Sequence, residues 1–392
     1  MYIIDGVVVV KNPYENKCFI YCKNQRAKYE INEDMFDLLA YINKNEFLNR
    51  AMLEDEYEGI EDVLDYLIDN QLITDEATDN KYCIKDINEI NAARIFIECT
   101  DACNLSCPHC YGEFGNKKRK KLSVSSIENL LKKAADLGVY EVDITGGEPF
   151  MHPMIESIFD MIHKYGMITT LFTNLTLCDE DKLKMIIDYG IKTVVTSIES
   201  ADEDIHDSFR GVTGSLKRTV KNIKWLIKNG VEVKVNYVLG KHNIDDAQCN
   251  IDYICSLGVC CNIDVTTPEG RAANDSIDLK KALAILRKYN DNSIAQNCGV
   301  GGRMIFVSSD GAIYPCPSLQ ESEFAIGNIY EEYNLKQCFE TIFDMFIKSN
   351  CNDTCSVKTC SGGCRARAFH LTGSIGGVDP YYCGVFEREN YV

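Results

Sequence analysis

The chain has 392 residues, 45% of them apolar and 26% charged, with 20 cysteines and a formal net charge of −18. At roughly 100–200 residues per domain it is expected to form two or three domains, and with no apolar run of membrane length and no cationic, cleavable leader it is expected to be cytoplasmic and to span no membrane. Residues 1–90 carry 20 Asp and Glu against 9 Lys and Arg, which argues against nucleic acid as a partner and leaves solubility or attraction of a basic peptide as readings of the acidic surface.

In chain order, the first 31 residues show three strand-like runs, Val7–Val10, Cys18–Cys22 and Ala27–Ile31, split by turn-forming Asn, Pro and Lys clusters. Two helices follow. Asn32 is the N-cap of the first, and the second repeats Ile60, Val63, Leu64, Leu67 and Ile68 at the 3-and-4 spacing of one apolar face. Residues 1–75 therefore read as a small α+β, winged-helix-like unit, and the polar residues 76–91 as a linker.

Over residues 92–288 an amphipathic helix, a glycine just past its end and a β-rich run recur. The glycines are Gly138, Gly166, Gly190, Gly230 and Gly258, and with the opening strand RIFIEC they predict six strands. Strands that alternate with helices run parallel, because each helix returns the chain to the starting edge. The predicted fold class is α/β, a partial (β/α)6 TIM-like barrel whose working face lies at the strand C-termini. Residues 289–392 lose the repeat, are loop-rich and hold seven closely spaced cysteines, so metals are expected to hold this domain together.

Twenty cysteines in a chain of this kind favour thiolate–metal chemistry over a disulfide framework. Ten are scattered and read as small buried hydrophobes, while ten fall at ligand spacing. Cys103, Cys107 and Cys110 stand at C-x3-C-x2-C in the loop after the first barrel strand. Three thiolates suit three corners of a cubane cluster and leave the fourth iron open to substrate or cofactor. Structural zinc suits the spacing less well, since it wants a fourth ligand nearby. His109, inside the loop, reads as a side chain oriented by its neighbours.

This spacing, with the aromatic Tyr111 directly after it, resembles the signature of the radical S-adenosylmethionine (SAM) superfamily. The resemblance implies that Cys103, Cys107 and Cys110 are catalytic and bind a four-iron four-sulfur cluster. Its open iron would chelate SAM, and its electron would cleave SAM to methionine and a 5′-deoxyadenosyl radical. TGGEP at the end of the second strand resembles the family's GGEP element, which implies that Gly146, Gly147, Glu148 and Pro149 bind SAM, the glycines admitting a close backbone approach to the ligand. Thr173 and Asn174 end the third strand, and SIES (Ser197–Ser200) ends the fourth, resembling the family's S-L-D-G run with Glu199 in place of Asp. Arg210, in HDSFRG, is a candidate partner for the SAM carboxylate or a surface ion pair. Gly270 and Arg271, in EGRA, stand at the expected adenine end.

Cys298, Cys316, Cys351, Cys355, Cys360, Cys364 and Cys383 resemble the SPASM extension of radical SAM enzymes, which carries two auxiliary four-iron four-sulfur clusters. The family pattern C-x2-C-x5-C appears here as C-x3-C-x4-C. The family's crossed ligation implies Cys298, Cys316 and Cys364 for the first auxiliary cluster and Cys351, Cys355, Cys360 and Cys383 for the second, three clusters in all. The first is then one ligand short. An open iron, a non-cysteine ligand, or a distant cysteine such as Cys260 or Cys261 are the alternatives.

The order and length of the N-terminal unit resemble the PqqD-like recognition element of enzymes that modify ribosomal peptides, which adds a leader peptide to a sheet edge. A structural cap on the barrel is the other reading. The resemblance implies a maturase that forms a cross-link, a thioether first and a carbon–carbon bond next, in a ribosomally made precursor peptide, served by an electron donor such as flavodoxin or ferredoxin. A sulfatase-maturase-like, formylglycine-generating enzyme and a non-catalytic iron–sulfur electron-transfer protein stay open. The last has no need of GGEP beside an open iron.

Overall fold

The computed structural model describes residues 1–4, 7–12, 17–22, 25, 27–45, 48–78, 84–86, 92, 94–115, 119–289, 303–347 and 363–385. It opens with β1 (Tyr2–Ile3) and a meander of β2 (Val7–Asn12), β3 (Lys17–Cys22) and β4 (Ala27–Ile31). Next come α1 (Glu33–Lys44), α2 (Arg50–Glu56), α3 (Glu61–Asp69) and β5 (Ile73–Thr74), which pairs with β1. Asn32 caps α1 by accepting from the Met35 amide at 2.9 Å. Helix α2 is an addition to the expected elements, because seven residues are too few for an apolar period to stand out. The expected linker holds β6 (Ile84–Asp86), which pairs in parallel with β2, so the chain returns to this sheet before the barrel begins.

Side chains of this sheet alternate between two cores, as the strand period of two requires. Val7, Val9, Cys18 and Ile20 pack with Leu39, Leu53, Leu64 and Leu67 of the unit's own helices. Val8, Val10, Phe19 and Tyr21 join the core of the barrel, where the Tyr21 and Tyr140 rings lie 6.2 Å apart. At this junction Glu141 Oε1 accepts from Lys28 Nζ at 2.7 Å and from the Tyr21 hydroxyl at 3.1 Å, and Arg94 Nη2 reaches Oε2 at 3.1 Å.

Burial alone would raise the Glu141 pKa, but the Lys28 and Arg94 charges outweigh it and hold the carboxyl below the usual range. The folded pKa is thus below the unfolded value of about 4.3, so the contact stabilises the docked unit above that pH and loses its effect as pH falls through the folded pKa. Glu141→Gln is expected to destabilise the chain by about 1–2 kcal/mol at pH 7, Arg94 contributing least because it is the most exposed partner. Urea midpoints of variant and wild type should converge as the pH is lowered; a gap that stays constant counts against the ion-pair account.

The barrel strands are β7 (Arg94–Glu98), β8 (Glu141–Thr145), β9 (Ile168–Phe172), β10 (Thr193–Ser197), β11 (Glu232–Leu239) and β12 (Cys260–Val265). They are parallel and lie side by side in chain order, as six βα repeats require. Their returns are α4 (Val124–Asp136), α5 (Ile155–Lys164), α6 (Glu180–Asp188), the pair α7 (Glu203–Arg210) and α8 (Ser215–Lys228), and α9 (Ala247–Ser256). The five repeat glycines take φ between 64° and 80°, the left-handed region that ends a helix without a Cβ clash.

After α10 (Leu279–Tyr289) the chain does not start a separate sheet. β13 (Met304–Val307) pairs in parallel with β7 and covers its free edge, and β14 (Ala312–Tyr314) and β15 (Gly327–Asn328) extend the same sheet to nine strands among the described residues. α11 (Leu335–Ile347), α12 (Arg365–Thr372) and α13 (Pro380–Val385) follow. No described helix is long and apolar enough to cross a membrane.

Candidate active site

The cysteine loop after β7 is held from three sides. The Gly147 and Glu148 amides donate to the Thr100 and Ala102 carbonyls, each at 2.8 Å, tying the loop to the end of β8. The Ser106 amide donates to the Arg210 carbonyl at 3.2 Å, at the end of α7. After β12, Arg271 donates through its amide to Cys110 O at 3.1 Å, through Nε to Cys107 O at 2.7 Å and through Nη1 to Phe114 O at 2.8 Å. Carbonyls that a buried loop would leave unpaired are thereby satisfied.

The glycines of TGGEP consequently serve the loop as well as the ligand approach expected of them. A Cβ on Gly147 would lie 2.5 Å from Ala102 O and 2.8 Å from Cys103 Cβ, and one on Gly146 would lie 2.5 Å from Thr100 O. Gly270, at φ +51°, packs in the same way against the Tyr111 and Cys110 carbonyls.

A cavity of about 340 Å³ opens at the strand C-termini. Cys103, Cys107, Cys110 and Tyr111 form one wall, and Gly146, Gly147, Thr173, Asn174 and Ser197 the strand ends. Arg210 and Arg271 close the remaining side. Glu148, Pro149, Glu199 and Gly270 are not among the residues that line the cavity. Glu148 is fully buried and accepts from Thr173 Oγ1 at 2.7 Å and from the Asn174 and Phe150 amides at 2.8 and 3.2 Å. Burial pushes its carboxyl up to about 7 despite these bonds, and its work is to fix the Thr173–Asn174 pair at the cavity edge. Pro149 opens a 3-10 turn.

Glu199 is also fully buried. It accepts from Arg210 Nη2 at 2.6 Å and contacts His242 Nε2 at 3.1 Å and His109 Nε2 at 3.8 Å. Arg210 is buried too, which sets aside the surface ion pair, and its Nη1 donates to Cys107 Sγ at 3.4 Å. Arg271, expected at an adenine, spends its described bonds on the cysteine loop.

Burial raises the Cys103 thiol to about 12 and also raises Cys110, so ligation must displace their protons. N–H donors aimed at sulfur suit thiolates, and the Leu105 amide supplies a second one, 3.4 Å from Cys103 Sγ. His109 Nδ1 and Thr196 Oγ1, on wall residues, are buried with no hydrogen-bond partner among the described residues. Among the described residues no three metal-binding side chains converge on one point. The three thiols share one wall of the cavity, and three thiolates suit three corners of a cubane cluster. Donor set and cavity therefore fit a four-iron cluster with SAM beside it, and bound there the pair would supply radical chemistry.

Of the C-terminal cysteines, Cys298, Cys351, Cys355 and Cys360 lie outside the described residues, and Cys316 is buried. Cys364 and Cys383 meet through Asp379, whose Oδ2 accepts from the Cys364 amide at 2.9 Å and whose carbonyl accepts from the Cys383 amide at 3.0 Å. The fully buried Arg367 pairs with Asp379 at 3.0 Å and donates to Val265 O at 2.9 Å and Asp264 Oδ1 at 3.0 Å, docking this segment on the end of β12. Cys260 and Cys261 open β12 at its other end, roughly 15 Å along the strand from Val265. Arg367, Asp379, Asp264 and His242 escape sequence reasoning because no spacing marks them.

A sequence profile of the Radical SAM superfamily matches residues 97–252. The antilisterial bacteriocin subtilosin biosynthesis protein AlbA of Bacillus subtilis is 29% identical over 267 residues, 63% of this chain but only 58% of AlbA. An AdoMet-dependent heme synthase of Methanosarcina barkeri is 26% identical over 340 residues, 74% of this chain and 96% of that protein. Streptococcus suis SuiB, in its crystal structure bound to the precursor peptide SuiA, shares the fold with a TM-score of 0.66 at 17% identity, over 96% of this chain and 98% of SuiB. Residues 97–252, which hold the cysteine loop, TGGEP, SIES and Arg210, are a radical SAM domain.

Proposed function

We propose that this enzyme cross-links a ribosomally made precursor peptide, forming a thioether, with a carbon–carbon bond as the alternative product. The observation that carries the reading is the outer edge of the N-terminal sheet, where among the described strands none pairs with the far side of β4. β4 is an outermost strand of the order β4-β3-β2-β6 and carries Tyr29, and Tyr66 on the neighbouring helix α3 is 54% exposed. A leader peptide added to this edge would gain main-chain hydrogen bonds, and the two tyrosines would read its side chains. Support comes also from two similar proteins, one a bacteriocin biosynthesis protein and one whose crystal structure holds a precursor peptide.

The N-terminal sheet packs at Tyr140 and Glu141, the start of β8, whereas the cavity opens past its end at Gly146. A leader on β4 therefore needs a spacer that climbs the barrel, at least about 16 Å for a five-residue strand, before its core peptide meets the mouth. There Cys103, Cys107 and Cys110 would hold the cluster, while Asn174, Ser197 and Arg210 offer polar groups to SAM. Cys298, Cys316, Cys351, Cys355, Cys360, Cys364 and Cys383 would hold two auxiliary clusters, the first with a position open to a peptide thiolate. Flavodoxin or ferredoxin would supply electrons.

The test is anaerobic turnover of the full-length enzyme with SAM, reductant and precursor peptide. The product should be lighter by two hydrogen atoms per cross-link and should have lost one alkylatable thiol. A lighter product that keeps all its thiols would move the assignment to a carbon–carbon bond, and an unaltered peptide mass would sink the reading. Tyr66→Ala should weaken precursor binding about thirtyfold, the roughly 2 kcal/mol of an interface hot spot, without abolishing slow SAM cleavage in the absence of peptide. Equal precursor affinity in variant and wild type would move the leader off this edge.

A further inference from the structure

We propose that Arg210 and Glu199 act as positioning residues that set the reduction potential of the cluster at Cys103, Cys107 and Cys110, through the Cys107 sulfur. The inference rests on that cysteine assignment and is independent of the substrate. Both hands of the Arg210 guanidinium are engaged: Nη1 lies 3.4 Å from Cys107 Sγ and Nη2 lies 2.6 Å from Glu199 Oε1. Glu199 is fully buried and is itself held by His242, whose ring stacks on Phe209 with centroids 3.7 Å apart. His109 faces the same carboxylate from inside the cysteine loop.

An ion pair that served only to brace α7 would need no contact with sulfur. Here the cation reaches past its carboxylate to a ligand atom, in a wall where water does little screening. Hydrogen bonds to cluster sulfurs and nearby net charge are what tune such potentials. The cation and its N–H favour the more negative, reduced cluster, and the Glu199 anion opposes it. The two residues should therefore shift the potential in opposite directions, which no purely structural role predicts.

Arg210→Met leaves an uncompensated anion near the sulfur and should make the cluster harder to reduce. Glu199→Gln keeps an acceptor for Arg210, removes the anion and should make it easier to reduce. Arg210→Lys keeps the charge without the planar fork and should lie between wild type and Arg210→Met. Combining Arg210→Met with Glu199→Gln should return the potential toward wild type, since the two changes offset each other.

The experiment is a potentiometric titration of the reconstituted full-length enzyme, followed by electron paramagnetic resonance at one fixed pH. The signal followed is the reduced-cluster signal that changes when SAM is added, which separates this cluster from any at the C-terminal cysteines. Each single variant is expected to change the reduced-to-oxidised ratio at a fixed potential about tenfold, about 59 mV for one electron, Arg210→Met to the negative side and Glu199→Gln to the positive. Two variants that titrate with wild type, or that move in the same direction, overturn the proposal. Should Arg210→Met fail to hold the cluster, Glu199→Gln and Arg210→Lys decide it by the same signs. A wild-type enzyme with no SAM-sensitive signal would overturn the cysteine assignment itself, and leave the reading of the peptide-binding edge untouched.

Discussion

Replacing Cys103, Cys107 and Cys110 together with Ala is expected to abolish formation of 5′-deoxyadenosine from SAM. The three side chains share one wall of the cavity at the strand ends, so their loss removes every described thiolate that could hold a cluster there. Nothing in the remaining wall replaces three thiolates: Asn174 and Ser197 are neutral donors, Asp264 and Glu269 are paired with Arg367 and His370, and a single imidazole, His109, cannot hold a cluster. The fold should survive, because each Ala keeps its Cβ and the loop is held by backbone bonds from Gly147, Glu148 and Arg271. Product assay, iron analysis and circular dichroism together make the check. The expected pattern is no 5′-deoxyadenosine, a native spectrum, and iron retained at the C-terminal cysteines. SAM cleavage at the wild-type rate in this variant would dismiss the assignment.

Gly147→Ala should lower SAM cleavage about 100-fold, the scale of loss when a reacting group is displaced by around 1 Å. The added methyl group would sit 2.5 Å from Ala102 O and 2.7 Å from Ala102 C, both backbone atoms of the cysteine loop that no side-chain rotation can move aside. Either the loop or the end of β8 must retreat, and the 2.8 Å bond from the Gly147 amide to Thr100 O stretches with it. Because Cys103 begins one residue past Ala102, the displacement falls on a cluster ligand. The effect should appear chiefly in the rate of 5′-deoxyadenosine formation, with a much smaller change in melting temperature. A variant that cleaves SAM within a fewfold of wild type would show that the loop has slack.

The barrel was legible in the sequence because its signals are local. An amphipathic helix, a left-handed glycine and a β-rich run are each written within about ten residues, and five repetitions with one opening strand leave parallel order as the natural solution. The cysteine loop was legible for the same reason, since C-x3-C-x2-C confines three thiols to one turn of chain at the face where the strands end. Asn32 as a cap and the alternation of β2 and β3 also follow from neighbours in sequence.

Contacts between residues far apart were decided only by the tertiary structure. β6 and β13 are three and four residues long, too short for any periodic signal, and they became strands because β2 and β7 each had an edge to fill. The TGGEP element announced its glycines, but that their missing Cβ atoms serve the cysteine loop required the loop to lie against them in space. Glu148 and Glu199 looked alike in sequence as acceptors for a ligand, and the fold left both out of the cavity lining and gave them protein donors. Arg367 and Asp379 carry no motif at all, and a fully buried ion pair between them became necessary only once α12 was packed on the end of β12. A sequence states which groups are present and their local spacing. Which of them meet, and which are thereby spent on each other, is settled by packing.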